Sequence, residues 1–318
     1  MENKNPIIIA TRGSALAMVQ ANQILDACRA SFPDKKFKIQ TFKTTGDKNL
    51  TASLAHPGKS LPKGLFTKEL EVALIKGEAD LAVHSLKDLP TELPDGLKLG
   101  AATKREDARD TLVWSHDDGI AVEGELPELP QGATVATSSN RRKAQLLKLR
   151  PDLDIVEIRG NVATRLRKLK EQPELHATIL AAAGLKRLGY AIGDNGTLSG
   201  DDVPEDVKAR RLDFCEMLPC VGQAAIGIEI REKDLRIEEV CAKLNCSETL
   251  ACVTAERAFL AGMGGGCATP VAARATIEDD SLTLKAISFV GGEFSEAEVL
   301  GDVDVAVGIG EQVATNLK

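Results

Sequence analysis

Ile7-Ile8-Ile9-Ala10-Thr11-Arg12-Gly13-Ser14 is the stretch on which the reading of this chain turns. Ile7 to Ala10 is a short apolar strand that runs into Thr11-Arg12-Gly13-Ser14. A helix follows, with apolar Leu16, Val19, Ile24, Leu25 and Cys28. The same joint recurs downstream. Val135-Ala136 is a strand tip, followed by Thr137-Ser138-Ser139 and a helix to about Leu149. Ile155 to Ile158 is a strand, followed by Arg159-Gly160-Asn161 and a helix to about Lys170. Phe37 to Thr44, Leu81 to His84, Thr178 to Ala182 and Ala225 to Ile230 read as further strands, and Thr67 to Lys76 as a helix with Thr67 as N-cap. Strands alternating with helices predict mostly parallel sheet covered on both faces, an α/β fold.

The pattern changes near Ser247. Ser247 to Leu260 reads as a helix capped by Ser247. Val271 to Ile277, Leu282 to Val290 and Glu296 to Leu300 read as successive strands before a C-terminal helix. Strands in succession predict an antiparallel sheet and a separate, smaller α+β domain. Lys104 to Asp110, Gly193 to Arg211 and Leu218 to Gly222 are polar or turn-rich and read as linkers or loops.

With 318 residues there is room for two or three domains. The net charge of -7 argues against a nucleic-acid binder, which is more often basic. The start, Met1 to Ile9, lacks the apolar core of a secretory signal, and no apolar run is long enough to span a membrane. These features point to the cytoplasm, with neither membrane nor nucleic acid as partner. Seven cysteines without a tight framework or a C-x-x-C, and four scattered histidines, argue against both a disulfide scaffold and a zinc site, so no metal is expected. Six of the cysteines read as reduced, inert and mostly buried.

Three strand-to-helix joints carry similar side chains. Arg12 and Ser14 open one helix, Ser138, Ser139, Arg141 and Arg142 a second. Arg159 and Asn161 precede a third, with Arg165 one turn inside it. Free N–H groups and the positive dipole end of a helix, joined by hydroxyl and guanidinium groups, make a carboxylate or phosphate site. Capping alone explains any one serine. The basic stretch Arg141 to Lys170 also suits a solvated face or a nucleic-acid patch, though no aromatic interleaving supports the latter. Lys87-Asp88 follows a buried strand; Asp88 suits general acid/base work or cation stabilisation, against a cap or surface ion pair. His84 reads as a hydrogen-bonded core histidine. Gly58 to Phe66, with Lys59 and Lys63, reads either as a loop that closes over an anion or as an ordinary exposed loop. Gly264-Gly265-Gly266-Cys267 sets a thiol at the end of a glycine run, where backbone approaches a bulky group closely. The alternatives are a buried, inert thiol there, a non-catalytic anion-binding module, and a nucleic-acid-associated protein.

These segments together resemble the porphobilinogen deaminase (hydroxymethylbilane synthase) family. The match runs through Ile9 to Ser14, Lys63 to Glu71, Ala82 to Pro90, Arg105 to Asp110, Thr137 to Arg142, Arg159 to Leu166, Ala183 to Gly189, Val221-Gly222-Gln223, Thr254 to Arg257 and Gly265-Gly266-Cys267. The resemblance implies two periplasmic-binding-protein-like α/β domains plus a smaller C-terminal α+β domain with an antiparallel sheet. Residues 1–104 and 218–242 would form a discontinuous domain 1, 105–217 domain 2, and 243–318 domain 3. It implies a transferase of tetrapyrrole biosynthesis that condenses four porphobilinogen molecules head to tail, with loss of ammonia, into hydroxymethylbilane. The primer would be a dipyrromethane cofactor thioether-linked to Cys267. Asp88 would be catalytic, delivering a proton to the leaving amine and stabilising an azafulvenium-like cation. Arg12, Ser14, Lys87, Ser139, Arg141, Arg142, Arg159, Arg165 and Arg187 would bind cofactor and substrate carboxylates, with Lys59 and Lys63 on a mobile loop. The family implies a monomer; the acidic stretch from Ile192 to Phe214 is a candidate transient contact for the next enzyme of the pathway. Asn140, Ala224 and Ala268-Thr269 depart from the family pattern, Ala224 standing where glycine is usual near a hinge.

Overall fold

The computed structural model describes residues 5–45, 66–115, 125–266 and 268–318. The opening joint is built as the sequence predicts. Strand β1 (Ile7–Arg12) leads to Ser14, whose Oγ accepts from Ala17 N at 3.4 Å and caps α1 (Ala15–Ser31). Then come β2 (Phe37–Phe42), α2 (Lys68–Ile75), β3 (Leu81–Ser85) and β4 (Leu97–Ala102). The next run is β5 (Asp110–Trp114), β6 (Thr134–Ala136), α3 (Asn140–Leu149), β7 (Asp154–Val156), α4 (Val162–Glu171), β8 (Ala177–Ala181) and α5 (Ala182–Arg187). Short strands β9 (Ala191–Ile192), β10 (Leu198–Ser199) and β11 (Lys208–Arg211) follow, then β12 (Ile226–Arg231), α6 (Leu235–Leu244) and α7 (Ser247–Gly262). The chain ends with β13 (Val271–Glu278), β14 (Ser281–Ser288), β15 (Ser295–Asp302) and α8 (Ala306–Asn316).

Two five-stranded sheets share one plan. The first has the order β2-β1-β3-β12-β4, with β1 parallel to β2 and β3 and with β12 antiparallel to both its neighbours. Read from its other edge, the second has the order β7-β6-β8-β5-β11. Here β6 is parallel to β7 and β8, and β5 is antiparallel to both its neighbours. Strands β12 and β5 therefore hold equivalent places, each just after a stretch that carries the chain between sheets. This is the paired α/β plan of periplasmic-binding-protein-like folds. The third sheet, β13-β14-β15, is antiparallel and packs with α7 and α8 around Phe259, Leu284 and Val313.

The sequence reading misses β4, β5, α5, β9 and α6, and places the short strands β10 and β11 inside a loop. In β4 the pattern is masked by Gly100, which faces Ile230 and Cys241 so closely that a Cβ would lie 2.8 Å from the isoleucine side chain. Helix α6 carries a plain helical stripe, with Ile237, Val240, Cys241 and Leu244 buried. Two caps also differ. Thr67 makes no cap bond and donates instead to Glu71 Oε1, while Ser247 is the first residue of α7, behind Cys246. Among the six described cysteines, Cys28, Cys241 and Cys252 are buried, and burial pushes these thiols up to about 11, 12 and 11. Cys215 is exposed. Among the described residues no helix is long and apolar enough to cross a membrane, and no acidic, histidine or cysteine cluster is arranged to hold a metal ion.

Candidate active site

The carboxyl ends of β1 and β3 form the first half of the site. Arg12, Ser14, Gln20, Phe66, His84 and Asp88 line one cleft there. The Arg12 guanidinium lies 4.3 Å above the centre of the Phe66 ring, a cation–π contact that holds it flat. Ser85 Oγ donates to Gln20 Oε1 at 3.0 Å. Asp88 ends a single helical turn, Leu86 to Asp88, immediately after β3. Neither Lys87 nor Asp88 has a hydrogen-bond or ion-pair partner among the described residues, and both are half-buried. That disfavours the cap and the surface ion pair for this dipeptide, and leaves a carboxylate free to act.

The turn carrying Asp88 is shaped from below. Gly222 has φ +69, and a Cβ there would stand 3.3 Å from Lys87 N, so only glycine fits both the left-handed backbone and the close approach. Gly222 N donates to Glu256 Oε2 at 2.8 Å. Glu256 is fully buried and forms a bidentate pair with Arg105, at 2.6 and 3.1 Å. Arg105 Nε in turn donates to Gln223 O at 2.8 Å. One ion pair thus ties the first inter-sheet stretch, the turn beneath Asp88 and helix α7. Under β3, His84 Nε2 lies 3.0 Å from Glu229 Oε2, as a hydrogen-bonded core histidine would.

The second half of the site is built from β6, β7 and β8. Ser139 and Asn161 cap their helices, accepting from Arg142 N and Thr164 N. Arg141 and Arg142 are almost fully buried and converge on Asp110, each at 2.8 Å or less. Their remaining reach goes to Leu218 O and Ile179 O. Gln223 Nε2 adds a bond to Asp110 Oδ1 at 3.0 Å. Burial alone would raise the Asp110 carboxyl, but the two guanidinium groups outweigh it and hold it well below the usual carboxylate range. Arg165 has no such partner. Burial first, then the charges of Arg142 and Arg159, bring its guanidinium down to about 10. Arg142 and Arg159 each have a carboxylate partner, Asp110 and Glu157, whereas Arg165 has none among the described residues.

The predicted residues are thus divided. Arg12, Ser14 and Asp88 share the cleft. Arg187 lines a separate pocket behind it, with Lys104, Lys186 and Lys243, and donates to Ala224 O at 2.7 Å. Asn140 Nδ2 donates to Ala268 O at 3.0 Å, joining α3 to the loop of the third domain. Cys267, Lys59 and Lys63 lie outside the described residues. Sequence reasoning assigns no role to Asp110, Gln223, Glu256 or Arg257. Their signal is only that they stand in quoted motifs, since partners so distant in the chain are set by the fold.

A porphobilinogen deaminase model, described as the dipyromethane cofactor binding domain, matches residues 7–239, and the porphobilinogen deaminase C-terminal domain matches residues 250–318. This chain belongs to the porphobilinogen deaminase family. It is 45% identical over 313 residues to the porphobilinogen deaminase of Trichlorobacter lovleyi, covering 97% of this chain and 92% of the relative. It is 47% identical over 279 residues to that of Moorella thermoacetica, covering 88% and 82%. Among solved structures, an ancestral cationic amino acid solute binding protein aligns with 75% of this chain and 88% of its own, at 11% identity and a TM-score of 0.43.

Proposed function

We propose that this chain is a transferase of tetrapyrrole biosynthesis. It condenses four porphobilinogen molecules head to tail, releases ammonia at each step and yields hydroxymethylbilane when water cleaves the finished chain from its primer. Family membership supports the reaction. The observation in the molecule that carries it is Asp88, a carboxylate with no partner among the described residues, in a cleft beside Arg12 and Ser14.

A dipyrromethane carries four carboxylates, and the chain has donors to receive them. The Nε atoms of Arg141, Arg142 and Arg187 and Nη2 of Arg159 are buried with no hydrogen-bond acceptor among the described residues. Buried N–H groups without acceptors are costly, and a bound polyanion supplies acceptors. Arg12, Ser14, Lys87, Ser139, Arg141, Arg142, Arg159 and Arg165 are the residues we assign to cofactor and substrate carboxylates, with Arg187 at the hinge and Lys59 and Lys63 on a closing loop. Cys267 is the attachment point. Its flanking Gly264, Gly265 and Gly266 all have φ between +57° and +127°. The bound dipyrromethane supplies a nucleophilic primer that stays with the protein through the cycle.

In this reading the Asp88 carboxyl gives its proton to the leaving amine, which departs as ammonia. The resulting carboxylate faces the methylene cation left on the substrate and stabilises it. The held dipyrromethane would supply the attacking pyrrole carbon, whose proton would be released as the new carbon–carbon bond forms. That proton returns to Asp88. The protein would act as a cytoplasmic monomer. Its domains would be 1–104 with 218–242, 105–217, and 243–318. The acidic stretch from Ile192 to Phe214 would be open to transient contact with the next enzyme.

Denaturing intact-mass spectrometry with a Cys267→Ser control tests the reading. An excess mass of two deaminated porphobilinogen units, absent from the control, is the expected result. A bare polypeptide mass, unchanged after incubation with porphobilinogen, would leave the anion-binding module in its place.

A further inference from the structure

The backbone after Asp88 is held by a side chain from another domain. Residues 89–91 belong to no strand or helix, so their carbonyls have no ladder partners. Arg257, on α7, fills that role. Its Nη1 donates to Leu89 O at 3.1 Å, and its Nη2 donates to Pro90 O at 2.6 Å and Thr91 O at 3.3 Å. A guanidinium presents its donors to the three successive carbonyls in a fixed planar fork, whereas an ammonium is a compact charge on a flexible stem and does not hold that geometry. The same helix ends in the glycine turn, where Gly264 N donates to Ala261 O and Gly265 N to Leu260 O. That turn presses on the same segment. A Cβ at Gly265 would stand 3.2 Å from Thr91 Oγ1, at φ +57. From the other side, Glu256 holds Gly222 beneath Leu86 and Lys87. Adjacent residues of one helix thus grip the Asp88 turn before and after the carboxylate.

We propose that Arg257 is a positioning residue: it fixes the Asp88 turn against the glycine turn that precedes Cys267 in the sequence. The inference rests on the functional reading above and deepens it. It explains why a basic side chain stands at the domain junction without a carboxylate in bonding distance. Its fork is used up on carbonyls, and Glu229 is the nearby opposite charge. Growth of the product demands that the acid and the point of attachment keep their mutual position, and misplacement by a fraction of a bond length slows chemistry without weakening binding.

The test compares Arg257→Lys with Arg150→Lys in the purified holoenzyme. Arg150 makes the same kind of clasp far from the cleft, on the carbonyls of Glu125, Leu126, Leu129 and Pro130. Arg257→Lys is expected to lower kcat by about tenfold to a hundredfold with KM nearly unchanged. Intact mass should still show the cofactor, and limiting porphobilinogen should leave shorter bound chains than in the wild type. Arg150→Lys should lower Tm and leave kcat alone. Gly265→Ala, which pushes Thr91 from the opposite side, should reproduce the kcat loss and serves if Arg257→Lys does not fold. Full kcat in Arg257→Lys, or full kcat in Gly265→Ala, overturns the inference and spares the functional reading. A wild-type chain that carries no cofactor and consumes no porphobilinogen overturns both.

Discussion

At the carboxyl ends of β1 and β3 Asp88 has no partner among the described residues, whereas near the carboxyl ends of β6 and β8 the chain buries two guanidinium groups around a single carboxylate, Asp110. The sheets beneath are the same in plan. The fold therefore supplies only the crevice, and the side chains at the joints decide its chemistry. An unpaired carboxylate is tolerable in the first half because Asp88 is only half-buried. In the second half Asp110 is fully buried, too deep to be left unpaired cheaply, and it is bound by Arg141, Arg142 and Gln223 together. Rate and stability should accordingly be separable between the halves.

The sharpest break of that comparison is Asp88→Asn. We expect kcat to fall about a thousandfold, since one general acid/base group contributes roughly 10²–10⁴. Stability should change by less than about 0.5 kcal/mol, because no partner is lost. Steady-state kinetics and urea unfolding on the same preparation decide it. A loss of stability as large as that of Asp110→Asn would mean that Asp88 is structural.

Asp110→Asn should do the reverse. It leaves two buried guanidinium groups without a counter-charge and should cost about 3 kcal/mol or more. The pH dependence gives a second check. Asp110 has its folded value below its unfolded value of about 3.9, so its stabilisation is complete above roughly pH 5 and is lost as pH falls below about 4 towards the folded value. The stability gap between wild type and Asp110→Asn should therefore narrow in acid. A gap that stays constant from neutral pH to pH 3 would show that the carboxylate's charge is not what the arginines need.

Arg165 sharpens the comparison within the second half, since it is half-buried and, unlike Arg142, has no carboxylate partner among the described residues. Arg165→Gln relieves repulsion from Arg142 and Arg159 while giving up one bond, Arg165 Nε to Gly160 O at 3.0 Å. In a cofactor-free Cys267→Ser background it should leave the unfolding midpoint unchanged or slightly raised. In the otherwise unaltered holoenzyme it should raise KM for porphobilinogen by about tenfold, the worth of one charge-assisted contact. A marked drop in midpoint would place Arg165 with the structural pairs.

The joints are legible in the sequence because a strand that ends in Ser, Thr or Asn before a helix announces both the turn and its polarity. Ser14, Ser139 and Asn161 all cap their helices, the alternative weighed for a serine at such a joint, and the arginines stand beside them as residue types. What the arginines bind is not legible. Arg141 and Arg142 look equivalent to Arg165 along the chain, and only the pairing of β5 with β8 brings Asp110 under the first two. Likewise Arg257 reads as one charge on a helix face until the segment after Asp88 is seen to lie against it. Strand β5 itself hides behind the charged run Arg105 to Asp110, whose last residue is the buried one. Partners distant in sequence are a property of topology, and local patterning carries no record of them.

The smallest expected effect lies where the two sheets join. Ala224 has φ +74, in the left-handed region that glycine takes without strain. Its carbonyl receives Arg187 Nη2, and Ala225 O next to it receives Leu86 N at the start of the Asp88 turn. The backbone there is therefore fixed from both sheets, and the alanine is held in a conformation it disfavours. Ala224→Gly should relieve about 1 kcal/mol of strain, less the extra freedom that glycine gains when unfolded, for a net change between about zero and 1 kcal/mol of added stability. It should also loosen the stretch that joins the two sheets, and kcat should change by less than about threefold while Tm holds or rises slightly. A clear fall in Tm would show that the alanine methyl, packed with Ala108 and Ala183, stabilises the junction more than its backbone strain costs.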